Sequence, residues 1–410
     1  MRRIALLLIP AFIYADNLKE LLDYATQKSD LVVAKTLAQE AKKKELSSQK
    51  RGYLPTLDLG GLYQRYDERN PIQPGTTYVG YAKVGLDIYD GGRRSALVDQ
   101  KKSELLSSGY ESEATKKSLS LQITKTFYNI KTLQASLDAK TEAQKSLKAQ
   151  LYRMQQFYIA KVATKDDVDR LQAAFDTNSY NIDALKLQIL SAKKQLELLV
   201  GKSVDVLQKS SFKEVNEDSY ELSDDTKALI AQKDSLGYTA RSVSSVYYPN
   251  IRVEDSYSLY EYDGTDGIPQ SYLPPKNQNK VMVTANIRLF DFGAVSQSEE
   301  ALMLNAQSLK AQIHYKTKEQ KINFEIAEEG LKTSRAEIKS AKSALDAATS
   351  AFKTIEEKYN AGIVDNVTYL DALSSLTDAK ALYTKALNDE QIAYATYYFY
   401  GGKNIGEYLQ

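Results

Sequence analysis

Residues able to do chemistry are few in this chain, and they do not cluster. His314 is the sole imidazole, cysteine is absent and the four methionines are scattered, so no thiolate site, paired-histidine metal site or soft-metal relay is written here. No glycine-rich phosphate loop is present, nor a nucleophile with a neighbouring base, which removes the common catalytic constellations. The chain is expected to be no enzyme and to hold no cofactor or metal. The missing thiols exclude a disulfide framework and fit a bacterial envelope protein. What remains are carboxylates in repeated settings. Asp90 in "LDIYDGG" (Leu86 to Gly92) and Asp291 in "IRLFDFG" (Ile287 to Gly293) each stand just before a long charged helix. An acid there accepts from the unpaired N–H groups of a first helical turn, while Gly91, Gly92 and Gly293 supply freedom for a change of direction.

The elements that position these acids occur twice. Asp30 and Pro55 correspond to Asp224 and Pro249 at an offset of 194, and from "LDIYDGG" onward the offset is 201, still holding at Tyr158 with Tyr359 and at "VGK" with "GGK". The second copy carries seven extra residues between about Tyr63 and Tyr81, as an exposed loop tolerates. The organisation expected is a signal peptide 1–15, a first repeat 16–202, a connector 203–223, a second repeat 224–403 and a tail 404–410.

Each repeat contains two strand-like runs, about 55–66 and 78–89, then about 249–262 and 280–290. Ala82, Val84, Leu86 and Ile88 alternate with Lys83, Gly85 and Asp87, and the 201 offset carries this apolar face onto Val283, Ala285, Ile287 and Leu289. Leu57, Leu59 and Tyr63 match Ile251, Val253 and Tyr257 in the same way. Period-two alternation over nine or more residues, bounded by tyrosine, reads as membrane β-strands; a half-buried hairpin of a soluble sheet would show the same pattern.

Long helices fill the rest. From Arg93 to Tyr158 there is no proline, and about 66 residues run roughly 99 Å. Apolar residues recur by sevens at Ile123, Ile130, Leu137, Leu151 and Tyr158, with Gln144 as the single lapse, then at Phe324, Leu331, Ile338, Leu345, Phe352 and Tyr359, a period that drives a left-handed supercoil. The second long helix is expected over 294–359. Helices over 30–51, 164–200 and 365–400 run alongside. The connector is polar and aperiodic, and is expected to pack outside the helical body.

Net charge is +1, which implies no attraction to nucleic acid. Arg2 and Arg3 precede an apolar run from Ile4 to Ile13 with Ala15 at a cleavage point, the pattern of a secretory signal. No later segment reaches the roughly twenty apolar residues of a transmembrane helix. Four strands cannot sit in lipid with open edges, and known barrels need at least eight. Several chains must therefore share one barrel: two give eight strands and a filled interior, three give twelve and a lumen.

With these features the sequence resembles the TolC-like family of outer membrane efflux proteins. The likeness covers nearly the whole mature chain and includes the tip patterns "YIAKVATKDDVDRLQAA" (Tyr158 to Ala174) and "YNAGIVDNVTYLDALSSL" (Tyr359 to Leu376). The resemblance implies a mixed α and β membrane protein: a homotrimer in outer membrane lipid, with four strands per chain in a shared twelve-stranded barrel and an α-helical tunnel through the periplasm. It implies export of drugs, metals or polypeptides, with a periplasmic adaptor and an inner membrane transporter as partners. The rival reading is a secreted or periplasmic coiled-coil structural or adhesion protein.

The resemblance also places functional residues. Adaptor docking falls on Lys161, Val162, Ala163 and Thr164 in the first tip and on Gly362, Ile363, Val364 and Asp365 in the second. Lys161 replaces the glycine expected there, which puts the geometry of that turn in question. Asp166, Asp167 and Asp371 match positions that line or latch the closed entrance in relatives, with Tyr158 and Tyr359 beside them; threefold symmetry would make rings of carboxylates that attract cations. Acids in a first turn also complement the helix dipole, the plainer reading for Asp166 and Asp167. Val364 stands where some relatives carry a basic latch residue, so the latch here is expected to differ, using Tyr359 and Lys161.

Overall fold

Strand and helix alternate along the chain in the order its two repeats dictate. The structure, a computed structural model, describes residues 15–68, 72–204, 206–214, 220–273 and 275–410. The expected signal peptide, residues 1–15, lies outside the described residues except for Ala15. No described helix is long and apolar enough to cross a membrane. The chain divides into two compact units.

One unit gathers residues 37–110 and 225–315 and holds a four-stranded antiparallel sheet in the order β2-β3-β5-β6: β2 (Thr56–Arg65), β3 (Thr76–Asp90), β5 (Asn250–Asp263) and β6 (Asn277–Asn286). Cross-strand registers sort the side chains by face. Leu57 lies opposite Val84, Leu59 opposite Ala82, Leu86 opposite Val253, and Val253 opposite Val283. These share one face, exposed to 69% at Leu57, 80% at Leu59 and 65% at Val283. The other face carries Lys83 with Glu254 at 3.5 Å and Arg252 with Asp87 at 3.0 Å. A Cβ at Gly85 would stand 2.3 Å from the Arg252 guanidinium, the mobile end of that side chain. A bulge leaves Ile88 unpaired between Asp87 and Tyr89, which twists the strand as it leaves the sheet.

β6 stops at Asn286, short of the expected end near 290. Its neighbour β5 begins at Asn250, paired with Asn286, so Ile287 to Phe290 have no partner strand on that side. In the first repeat Leu86 to Asp90, apart from the bulged Ile88, stay paired because β5 runs beside them. The unit also contains α5 (Asp224–Ser244, from Asp225), the later part of α2 (Asp30–Arg51), the first turns of α3 (Arg93–Ile159) and the first turns of α6 (Ala294–Asn360).

The second unit comprises, among the described residues, those within 15–36, 111–224 and 316–410. It contains α1 (Leu18–Lys28), most of α3 and α6, α4 (Lys165–Val200) and α7 (Asn366–Tyr400). α1 is an element absent from the expectations above. Its Leu18, Leu21, Leu22 and Ala25 recur at helical spacing, and all are buried against Ile123, Phe127, Ile130, Leu196 and Val200. Asn17 caps it, accepting from the Glu20 N–H at 2.8 Å. The connector contributes a two-residue parallel pairing of β4 (Val206–Leu207) with β1 (Ala15–Asp16) and a bridge from Phe212 to Leu409. It is tied down where Tyr128 and Tyr398 donate to the carbonyls of Ser210 and Lys213. Gln320, buried on α6, donates to the carbonyls of Glu221 and Tyr400 and accepts from the Ser223 N–H.

Candidate functional site: two capped tips and a two-faced sheet

Both long helices end in the same turn. At the first tip Lys161 adopts a positive φ of 59°, its N–H donates to the Tyr158 carbonyl (3.0 Å) and the Val162 N–H to the Phe157 carbonyl (2.8 Å). At the second, Gly362 has φ 73°, its N–H donates to the Tyr359 carbonyl (3.1 Å) and the Ile363 N–H to the Lys358 carbonyl (2.9 Å). This crossed pair of bonds satisfies the last carbonyls of each helix. The lysine does not change the turn. It accepts a left-handed backbone that costs an L-residue about 1–2 kcal/mol. Val162 and Ile363 project from the tips at 75% and 71% exposure, with Ala163 and Val364 half-buried.

The next helices start on capping acids and hydroxyls. Thr164 and Asp167 cap each other reciprocally, each side chain accepting from the other's N–H at 3.2 Å. Asp365 accepts from the Thr368 N–H at 2.9 Å, and these bonds hold its carboxyl below the usual range. The tips are then joined. Asn366, buried, donates to Asp167 Oδ1 at 3.1 Å and to the Asp167 carbonyl at 3.3 Å. Arg153 Nη1 reaches Asn360 Oδ1 at 2.6 Å. Behind them Tyr369, with no exposed surface, stacks on Tyr359 at 4.7 Å and lies 5.7 Å from Phe352, within a small core with Ala143, Leu147 and Leu373.

The sequence-derived site residues thus fall into three settings. Asp167 and Tyr359 are tied into the chain's own tip, Tyr359 being only 8% exposed while its counterpart Tyr158 is 47% exposed. Asp166 is exposed and paired with Arg170 at 2.8 Å. Asp371 is exposed on α7 and has no ion pair among the described residues. His314 is exposed on α6, and no group of acids, histidines or cysteines is arranged for a metal among the described residues. Sequence reasoning missed Arg153, Asn360, Asn366 and Tyr369. The two contacts that join the tips span about 200 residues, and no local period marks them.

The junctions between strand and helix use the two acids differently. Asp90 Oδ2 accepts from the Arg94 N–H at 2.9 Å and from Arg94 Nε at 3.0 Å, both side chains being buried. Arg94 also donates to the Asp87 carbonyl at 2.6 Å and lies 4.7 Å from the Tyr53 ring. In the second repeat Val295 replaces Arg94, and Asp291 accepts from Tyr247 Oη at 2.9 Å and from the N–H groups of Gly293 and Val295.

A sheet with an apolar face bare to its surroundings suits a hydrocarbon solvent. Helices of 67 residues returning through capped tips suit a wall rather than a globule, and together they define the class of outer membrane channels. The sequence profile of the outer membrane efflux protein family matches residues 21–202 and 218–403. The chain belongs to that family, and its place is the outer membrane. Its fold is similar to that of a membrane protein from Pseudomonas aeruginosa (TM-score 0.83, 16% identity, covering 94% of this chain and 93% of that one). It is also similar to the outer membrane protein VceC of Vibrio cholerae (0.79, 15%, 95% and 96%) and the CmeC outer membrane channel of Campylobacter jejuni (0.82, 15%, 94% and 86%). Comparison with curated proteins yields no sequence match.

Proposed function

We propose that three copies of this chain close a twelve-stranded barrel in the outer membrane, continued by their long helices as a periplasmic tunnel. This conduit passes small molecules or polypeptides from an inner membrane transporter. The observation that carries the reading is the sheet: one apolar face, one ion-paired face and two open edges in an all-antiparallel order. Open edges are not tolerated in lipid, and further copies continue the same alternation of strand direction.

A periplasmic adaptor docks on the tip turns Lys161 to Thr164 and Gly362 to Asp365. The bare aliphatic side chains of Val162 and Ile363, set on rigid capped turns, support this role. Asp371, exposed and without an ion pair among the described residues, is the residue most suited to face the pore; Asp166 and Tyr158 lie at the rim. Asp167 and Tyr359 serve the gate indirectly, by fixing the tip that carries it.

The first test is the detergent-corrected mass, by light scattering, of the protein extracted from outer membranes. Three chains per particle is the expected result, and a single chain would refute the shared barrel. Single-channel recordings test the pore assignment: Asp371→Ala should lower cation selectivity, and an unchanged selectivity removes Asp371 from the pore.

A further inference from the structure

One backbone turn is built twice at the tips, and its two copies carry opposite charge. The first, Ala160 to Lys165, holds Lys161 and Lys165 and no acid; the second, Ala361 to Asn366, holds Asp365 and no base. Neither lysine has an ion pair among the described residues. The acids that follow them are already engaged, Asp166 with Arg170 at 2.8 Å and Asp167 with Thr164 and Asn366. The 201 offset also sets Phe157, Tyr158 and Ile159 against Lys358, Tyr359 and Asn360. In the first copy all three are exposed, Ile159 to 73%, and with Val162 they give the turn an apolar surround. In the second copy Tyr359 is buried under Tyr369 and Asn360 accepts from Arg153, which leaves Lys358 beside the bare aliphatics Ile363 and Val367. Lys161 itself stands in the left-handed position that glycine fills in the second turn, φ 59° against 73°. Glycine makes that turn without steric cost, so what the lysine adds is its side chain: an ammonium at the apex of a rigid turn, next to Val162. Disfavoured backbone of this kind gathers where function needs the residue that carries it.

We infer that the first tip is the charge-selective docking site for the adaptor, taking a partner surface that is apolar at its centre and sets a carboxylate over Lys161; the inference rests on the docking role proposed above. Charge complementarity argues for the carboxylate. A partner that covers Val162 and Ile159 draws water away from the neighbouring ammonium, which then needs a counter-charge, and none stands beside it among the described residues. The same surface turns away a partner with a base at that place, because like charges brought together at an interface oppose binding. The second tip lacks this selection: its glycine turn offers no cation, and its one acid, Asp365, is occupied in capping α7. The aliphatic side chains of both tips therefore hold the partner, while Lys161 chooses among partners. In a three-copy assembly the choice is made three times over, so a modest preference at each site multiplies.

The test puts the photo-cross-linker p-benzoylphenylalanine in place of Val162 or of Ile363 in the full-length protein, in its own bacterium, and identifies the adducts by mass spectrometry. A periplasmic adaptor should be captured at both positions. Adding Lys161→Glu should cut the adduct at 162 at least about tenfold and that at 363 less than about twofold, and Lys161→Arg should preserve both. Exchanging for lysine the adaptor acid nearest the mapped adduct should restore docking to the Lys161→Glu variant. Lys161→Gly separates docking from folding: it relieves the left-handed backbone and firms the turn, yet should weaken the adduct at 162 about three- to fivefold. An adduct at 162 that Lys161→Glu leaves unchanged, or that Lys161→Gly strengthens, would overturn the inference while leaving the docking role in place. Capture of a second copy of this chain at 162 would assign the apolar surround to a contact between copies and overturn it as well. Absence of an adaptor adduct at both positions would overturn the docking role itself, and the inference with it.

Discussion

The buried ion pair at the head of α3 governs how firmly the first strand pair is joined to its helix, and its strength can be worked out. Asp90→Ala leaves the Arg94 guanidinium, 7% exposed, without its counter-charge and removes the acceptor for the Arg94 N–H. Breaking a buried pair from one side costs about 3–5 kcal/mol. The Asp87 carbonyl still accepts from Arg94, so the lower end, about 3 kcal/mol, is expected. Arg94→Val should do less harm, because the second repeat already works that way. There Val295 takes the place of Arg94 and a tyrosine hydroxyl serves Asp291. Tyr53, the counterpart of that tyrosine, lies against Arg94 and can turn to Asp90 once the arginine is gone. The assay is hydrogen exchange at the amides of residues 93–97 in the intact extracted protein. At about 1.4 kcal/mol per decade, Asp90→Ala should speed local exchange about 100-fold and Arg94→Val about tenfold or less. An effect of Asp90→Ala below about fivefold, or an Arg94→Val variant equally damaged, would refute the reasoning.

Three further outcomes concern the tips. Lys161→Gly relieves the left-handed strain and should slow exchange at the first tip by the equivalent of about 1 kcal/mol, whereas Gly362→Ala should hasten it at the second. Tyr369→Ala empties a fully buried site and should destabilise the tip by about 3–5 kcal/mol, seen as new protease cleavage between 355 and 375. Burial pushes the Tyr369 hydroxyl up to about 12, above the roughly 10 of an unfolded tyrosine. This neutral group thus adds stability in full below pH about 10, lost as pH rises toward about 12. An alkaline circular-dichroism titration should show helix loss in that window, and Tyr369→Phe should shift the loss upward.

The periodic parts of this molecule were legible in its residues. The heptads placed Ile123, Ile130 and Leu331 on the buried side of their helices, where they lie. The period-two runs placed Leu57, Leu59, Val84 and Val283 on one face of the sheet. What escaped was set by partners distant in sequence. Tyr158 and Tyr359 are equivalent by offset, yet only Tyr359 is buried. Tyr369 packs on it, while the counterpart of Tyr369 in the first repeat is the smaller Val168. Lys161 misled for a different reason: residue type disfavours the left-handed backbone, but the crossed hydrogen bonds of the turn outweigh a penalty of about 1–2 kcal/mol. The helix from Leu18 to Lys28 did carry a helical apolar spacing, compressed into 11 residues.

The seam between β3 and β5 joins residues at least 160 positions apart, Asp90 with Asn250 being the nearest, whereas each hairpin closes locally. Loop-closure entropy makes such a contact late. During synthesis two ready hairpins therefore wait on opposite sides of a long helical excursion, each presenting the edge that the other needs. A hairpin from a neighbouring nascent chain offers nearly the same edge, since the two hairpins of the repeat share one pairing register. Such a duplicated sheet is open to exchange of hairpins between chains, and folding of the helical body, which brings a chain's own two halves together, decides which seam closes first.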